Sequence, residues 1–180
     1  MGLPSIKAVL VNARANAKAL ALIKDIETTY LQEVRDSVVA AMNDGLTLTE
    51  WEPSFDAITS RFGYGTGPAN YTEMVFRTVS QSAYNGGKAS EMFGPEGQAR
   101  AGYWQFSAVM DDRTTDECAA LDGQIFAKTD ADAMDFIPPL DYNCRSTLIE
   151  LDDTDVEGET ISAANTVGID VAFDNELMLV

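Results

Sequence analysis

From Pro4 to about Asn43, apolar residues return every three or four positions: Val9, Ala13, Ala17, Leu20 and Ile23, then Ile26, Tyr30, Val34, Val38 and Ala41. That spacing lines one face of a helix and predicts one long helix or two in succession. Ser5 stands where an N-cap belongs, and Asn43-Asp44-Gly45 supplies the stop, because glycine takes the left-handed conformation at a helix end without a Cβ penalty. A second helix is predicted to start at Thr47 or Thr49, each a threonine with acidic residues following in the first turn. Between Phe62 and Pro68 the three glycines and the proline interrupt the pattern and predict a loop. The loop lacks the Gly-Lys-Ser/Thr ending of a phosphate-binding loop. A third helix follows from Ala69 to about Ser90, with Tyr71, Met74, Val75, Thr78, Val79, Ser82 and Ala83 on one side.

After the turn Gly94-Pro95-Glu96-Gly97 the period changes from helical to alternating. Tyr103 to Val109 is a predicted strand that ends at an Asp-Asp-Arg-Thr turn. A short helix over Asp116 to Leu121, capped by Thr114 or Thr115, precedes an Asp122-Gly123 turn and a short strand over Gln124 to Phe126. Ser146 to Leu151, alternating and β-branched, reads as the closing strand. Trp104, Phe106, Ile125 and Leu148 are expected to share one core. The segment DDTDVEGET is too acidic to pack and reads as a surface loop or a disordered linker. Beyond it, the alternation from Val167 to Phe173 either adds a strand or, with the apolar NELMLV end, docks on another subunit. The pattern therefore divides into a helical region over 1–62, an α+β module with a short antiparallel sheet over 69–151, and an acidic linker with an apolar tail over 152–180.

At 180 residues and 46% apolar content the chain can bury a real core. No apolar run reaches the roughly 20 residues of a membrane span, and the start lacks signal-peptide order, so a cytoplasmic chain without membrane contact is expected. A net charge of −17 argues against nucleic-acid binding by the whole surface. The charge is nevertheless polarised. Residues 1–24 carry Lys7, Arg14, Lys18 and Lys24 and no acid, and nine acids without a Lys or Arg occupy the last 35 residues. Both ends are read either as partner contacts or as solvated surface. The absence of histidine removes the usual triad base and the imidazole metal ligand. The acids Asp111, Asp112, Asp116, Glu117 and Asp122 crowd one stretch, but no Lys or hydroxyl is spaced to activate a nucleophile beside them.

One block is more specific than these patterns. DDRTTDECAALDGQIF, residues 111–126, is followed by PPLDYNCRS, residues 138–146, with the aromatic strand of Trp104 upstream. In this arrangement the chain resembles the phage Mu F-like minor head proteins, the head morphogenesis family of tailed bacteriophages. The resemblance covers roughly residues 25–151 and is specific from Ala83 onward. Its structural motif residues here are Trp104, Asp112, Arg113, Thr114, Cys118, Gly123, Pro138, Pro139, Cys144 and Arg145. FRTVSQSAYNGGKAS is similar to the family's Arg-Thr helix leading to an Ala-Tyr-Asn-Gly turn.

The fully equipped family pattern has the ligand types of a structural zinc site. This chain departs from it, with Thr115, Asp141 and Ser146 where a Cys, a His and a Cys would stand. No metal and no cofactor are therefore expected, and Cys118 and Cys144 read as buried apolar side chains or a disulfide. Arg113 and Arg145 are expected to hold the strands instead, by pairing with Asp112 or Asp141.

The resemblance implies a structural, non-enzymatic minor capsid protein at or near the portal vertex inside the head. It implies the portal, the major capsid protein or a scaffold protein as partner, and a role in head assembly or DNA delivery. The basic amino-terminal helix is a candidate contact for packaged DNA. The alternative it raises is a toxin-related effector, nuclease-like or ADP-ribosyltransferase-like, whose catalytic residues are not recognisable here. The apolar end at Val180 also suggests a piece of a longer protein.

Overall fold

The computed structural model describes residues 17–65 and 69–169, with side chains from residue 28 onward. The fold is α+β, helices first and a small sheet after them. Ser5, Val9, Ala13 and the 170–180 segment lie outside the described residues. Two compact units are present, one up to Ser80 and one from Gln81.

The first unit contains helix α1 (Ala17–Asn43), helix α2 (Leu48–Arg61) and the start of helix α3 (Ala69–Phe93). Helix α1 is continuous over its described length, and Tyr30, Val34, Val38 and Ala41 of the predicted stripe are buried. It stops at Gly45, whose φ is +69°. The Leu46 N–H reaches the Ala41 carbonyl at 2.8 Å and the Gly45 N–H reaches Met42 at 3.1 Å, satisfying two carbonyls the helix leaves open. Of the two caps offered for α2, Thr47 is the one used. Its backbone N–H donates to the Glu50 carboxylate at 2.8 Å, and the Glu50 N–H returns to the Thr47 carbonyl at 3.1 Å. Trp51, Phe55 and Phe62 fill the unit, with the Trp51 ring 5.0 Å from Phe55 and 5.1 Å from Phe76. The indole N–H donates to Ser37 Oγ at 3.0 Å, so this buried donor is satisfied.

In the second unit, α3 runs on to Phe93, slightly past the predicted end near Ser90, through the Ala-Tyr-Asn-Gly stretch that the family resemblance gives as a turn. No turn forms at Asn85-Gly86. Asn85 is buried instead, donating to the Ser146 carbonyl at 3.0 Å and accepting from Thr147 Oγ1 at 3.1 Å, beside a 2.6 Å bond from Gln81 to the same carbonyl. Of the predicted side of α3, Thr78, Val79 and Ser82 are buried and Tyr71 is exposed, and Thr72, Asn85, Ala89 and Met92 are buried as well.

The expected turn at Gly94 is the N-cap of a short helix, α4 (Pro95–Arg100), with Pro95 in its first turn. Strand β1 (Tyr103–Ser107), helix α5 (Asp116–Leu121), strand β2 (Ile125–Ala127), a 3-10 helix (Asp132–Phe136), strand β3 (Thr147–Leu151), strand β4 (Ile161–Ser162) and helix α6 (Ala164–Val167) follow.

The sheet order is β3-β1-β2-β4. Strand β1 pairs antiparallel with both neighbours, and β4 pairs parallel with β2, so the sheet is mixed where an antiparallel one was expected. Register decides which residues share the core. Phe106 lies opposite Leu148 and Trp104 opposite Phe126, all four fully buried, whereas Ile125 lies opposite Gln105 on the other face. Phe126 thus takes the core position assigned to Ile125, because the register sets Phe126 opposite Trp104 and a step of one residue reverses the face. Ala89, Met92, Cys118, Leu121, Phe136 and Leu140 complete this core.

Val167, where the alternation read as an added strand or a docking segment begins, ends α6. The acidic stretch 152–159 forms exposed turns in which Asp152 accepts from the Thr154 and Asp155 amides at 2.8 and 3.0 Å.

Candidate functional site

The motif residues converge on one end of β1. Asp122 accepts from the Ala108 N–H at 2.8 Å where the strand finishes, and Gly123, at φ +78°, donates to the Phe106 carbonyl at 2.9 Å. Only glycine takes that φ without strain, which explains the Leu-Asp-Gly signature. The chain then closes a turn from Val109 to Thr114. Thr114 Oγ1 accepts from the Asp111 N–H at 3.1 Å and donates to the Val109 carbonyl, while Asp111 Oδ1 accepts from the Arg113 N–H at 3.0 Å. Thr115 caps α5 by accepting from the Cys118 N–H at 3.4 Å.

The second half of the site arrives from 138–146. Pro138 and Pro139, joined by a cis peptide, and Leu140 are buried. A turn at Asp141–Cys144 follows, with Asn143 at φ +57° and the Cys144 N–H on the Asp141 carbonyl at 3.2 Å. Asparagine tolerates that left-handed conformation better than most residues. Arg145 then forks onto Asp111, Nη1 to Oδ2 at 2.7 Å and Nη2 to Oδ1 at 2.5 Å. This two-bond contact joins the turn after β1 to the turn before β3. The Arg145 guanidinium, followed by the Arg113 amide, holds the Asp111 carboxyl well below the usual carboxylate range.

The expected pairing is therefore met for Arg145 but through Asp111, not Asp112 or Asp141. Asp141 accepts from the Tyr142 N–H at 2.7 Å, and Asp112 is exposed. Arg113 contributes its backbone; its guanidinium is 4.0 Å from Asp111 with 64% of the side chain exposed. Asp111, two residues before Arg113 in the Asp-Asp-Arg-Thr turn, is not among the motif residues read from the sequence. Trp104 sits beneath, buried against Phe126 at 5.0 Å and Phe93 at 6.3 Å.

Cys118 and Cys144 face each other inside this junction, sulfurs 3.7 Å apart and both thiols free. The contact with Cys144 and burial push the Cys118 thiol up. Among the described residues no three Cys, Asp or Glu side chains gather in a way that would hold a metal ion.

Residues not anticipated also brace the module. Lys128, 3% exposed, donates to the carbonyls of Met92 at 2.8 Å and Gly97 at 3.0 Å and to Glu150 at 2.6 Å. Burial pushes the Glu150 carboxyl up, but Lys128 and Arg100 outweigh it and the net shift is downward. Charged residues read as surface in a sequence, so nothing short of the fold reveals this cluster. Around the Asp111–Arg145 fork the turns expose Val109, Met110 and Tyr142 at 47%, 58% and 56%. With the Asp111 carboxylate held by both arms of Arg145 and the Arg113 amide, the arrangement is built to fasten and to present a surface.

The family model described as phage Mu protein F like protein matches residues 32–149. The chain is similar to "Putative capsid assembly protein F" of Escherichia phage Mu, 26% identical over 149 residues, covering 74% of this chain and 34% of that protein. It is also similar to the Mu-like prophage FluMu F protein of Haemophilus influenzae, 22% identical over 166 residues, covering 86% of this chain and 40% of that protein. The chain thus spans well under half the length of these curated relatives. No solved structure matches. From the family-model match, which includes every element from α2 to the middle of β3, the chain belongs to the phage Mu protein F like family.

Proposed function

We propose that this protein is a structural component of a tailed-phage head, acting in capsid assembly by binding and not by catalysis. The observation that carries the reading is the family match over residues 32–149, together with a relative named for capsid assembly. The site agrees with it: an arginine-paired carboxylate, two buried thiols and a chain without histidine suit a fastened surface better than an acid-base centre. No described helix is long and apolar enough to cross a membrane.

We further propose a place at or near the portal vertex inside the head, reached from the host cytoplasm during assembly, with the portal, the major capsid protein or a scaffold protein as partner. Met110 and Tyr142 are the contact we assign to that partner, since apolar side chains held out on fixed turns gain most from being covered. The basic segment Lys7 to Lys24 is proposed to face packaged DNA, whose phosphates it complements.

The test is to recover the tagged protein from assembled particles and identify what accompanies it in fixed ratio. Portal or major capsid protein is the expected companion. Absence from particles would overturn the reading. The paired changes Met110→Asp and Tyr142→Asp are expected to cut that recovery at least tenfold while the melting temperature stays within about 2 °C, as surface substitutions usually do.

A further inference from the structure

We propose that Cys118 and Cys144 are an oxidisable pair that closes into an intramolecular disulfide when the protein meets a peroxide, cross-linking α5 to the turn before β3. The two sulfurs lie 3.7 Å apart although 26 residues separate them in the chain. They are the chain's two cysteines, so neither has another thiol of the same molecule to pair with. Both are mounted on fixed backbone. The Thr115 cap sets Cys118, while the Asp141–Cys144 turn and the adjoining Arg145 fork set Cys144. The encounter is thereby pre-organised, and the sulfurs need approach by only about 1.7 Å to bond.

Cys144 is the attacking sulfur. The Cys118 thiol, followed by the Ser146 side chain and the Leu140 and Ser146 amides, favours its thiolate against the opposing effect of burial. The thiolate attacks one peroxide oxygen, the O–O bond breaks, and the departing hydroxide takes a proton to leave as water. Cys144 is now a sulfenic acid. The Cys118 sulfur then attacks the Cys144 sulfur, the S–O bond breaks, and the hydroxide released takes the Cys118 proton as a second water. Two thiols are oxidised and one peroxide is reduced to two waters. Burial slows the first step and favours a small oxidant over bulky disulfides.

The bond would tie a 26-residue span, raising stability without altering the exposed turns. The test uses the full chain, reduced and then treated with hydrogen peroxide. The expected product is monomeric, lighter by two hydrogens, without titratable thiol after denaturation, and yields one peptide pair joined through Cys118 and Cys144. Its melting temperature should rise by about 10 °C and return on adding dithiothreitol. Cys118→Ala should stop at a Cys144 sulfenic acid that dimedone traps. Two thiols recovered after denaturation, cross-links only between separate chains, or sulfinic acids without the joined peptide would each overturn the proposal. These readings come from wild-type protein, so they decide the question even if the variant does not fold.

Discussion

The Asp111 carboxylate accepts from both arms of Arg145 and from the Arg113 amide, and the Asp111 carbonyl accepts from the Thr114 amide. Because Arg145 depresses its carboxyl pKa, Asp111 favours folding fully above the ordinary unfolded value near 4, and the contribution falls away as pH drops through the lower folded value. Asp111→Asn should therefore melt earlier than wild type at pH 7, with the difference shrinking below about pH 4. Thermal melts across that range check it. Arg113→Ala, by contrast, should leave the melting temperature within about 1 °C, since an exposed guanidinium 4.0 Å away adds little. The sequence gives no such ranking of the two arginines, because each has carboxylates nearby and only the folded turns decide which one closes.

Elements were legible where local spacing and caps agree with the final packing. The Gly45 stop, the Thr115 cap and the alternating β1 and β3 strands all rest on neighbours within a few residues. The turn that the family resemblance implied at Asn85-Gly86 does not form: the helix predicted from local spacing continues, with Asn85 held by the Ser146 carbonyl and Thr147 hydroxyl. Two glycines of the same region separate these effects. A methyl added at Gly97 would sit 2.3 Å from the Glu91 and Met92 carbonyls, so Gly97→Ala should cost about 1–3 kcal/mol. At Gly87, in the interior of α3, nothing lies within 4 Å, and Gly87→Ala should stabilise by about 0.5–1 kcal/mol. Denaturant unfolding reads both signs. In the sheet, Phe106→Ala should cost about 3–5 kcal/mol, given its full burial against Leu148 and the aromatic cluster.

At the scale of the whole molecule, α+β organisation and family membership could both be read from the chain, whereas the bracing around Lys128 and the mixed sheet could not. The last two depend on pairings between distant segments. Lys128→Met should destabilise by about 3 kcal/mol, because it leaves the Met92 and Gly97 carbonyls and Glu150 without their shared donor; the denaturation midpoint measures this. The order β3-β1-β2-β4 bears also on synthesis. A ribosome releases β1, α5 and β2 first, and β1 keeps one unpaired edge until Thr147–Leu151 emerges about 40 residues behind it. Until then Trp104 and Phe106 lack the Leu148 side of their core, so the nascent module is a target for chaperones or for premature strand pairing between neighbouring polysomal chains.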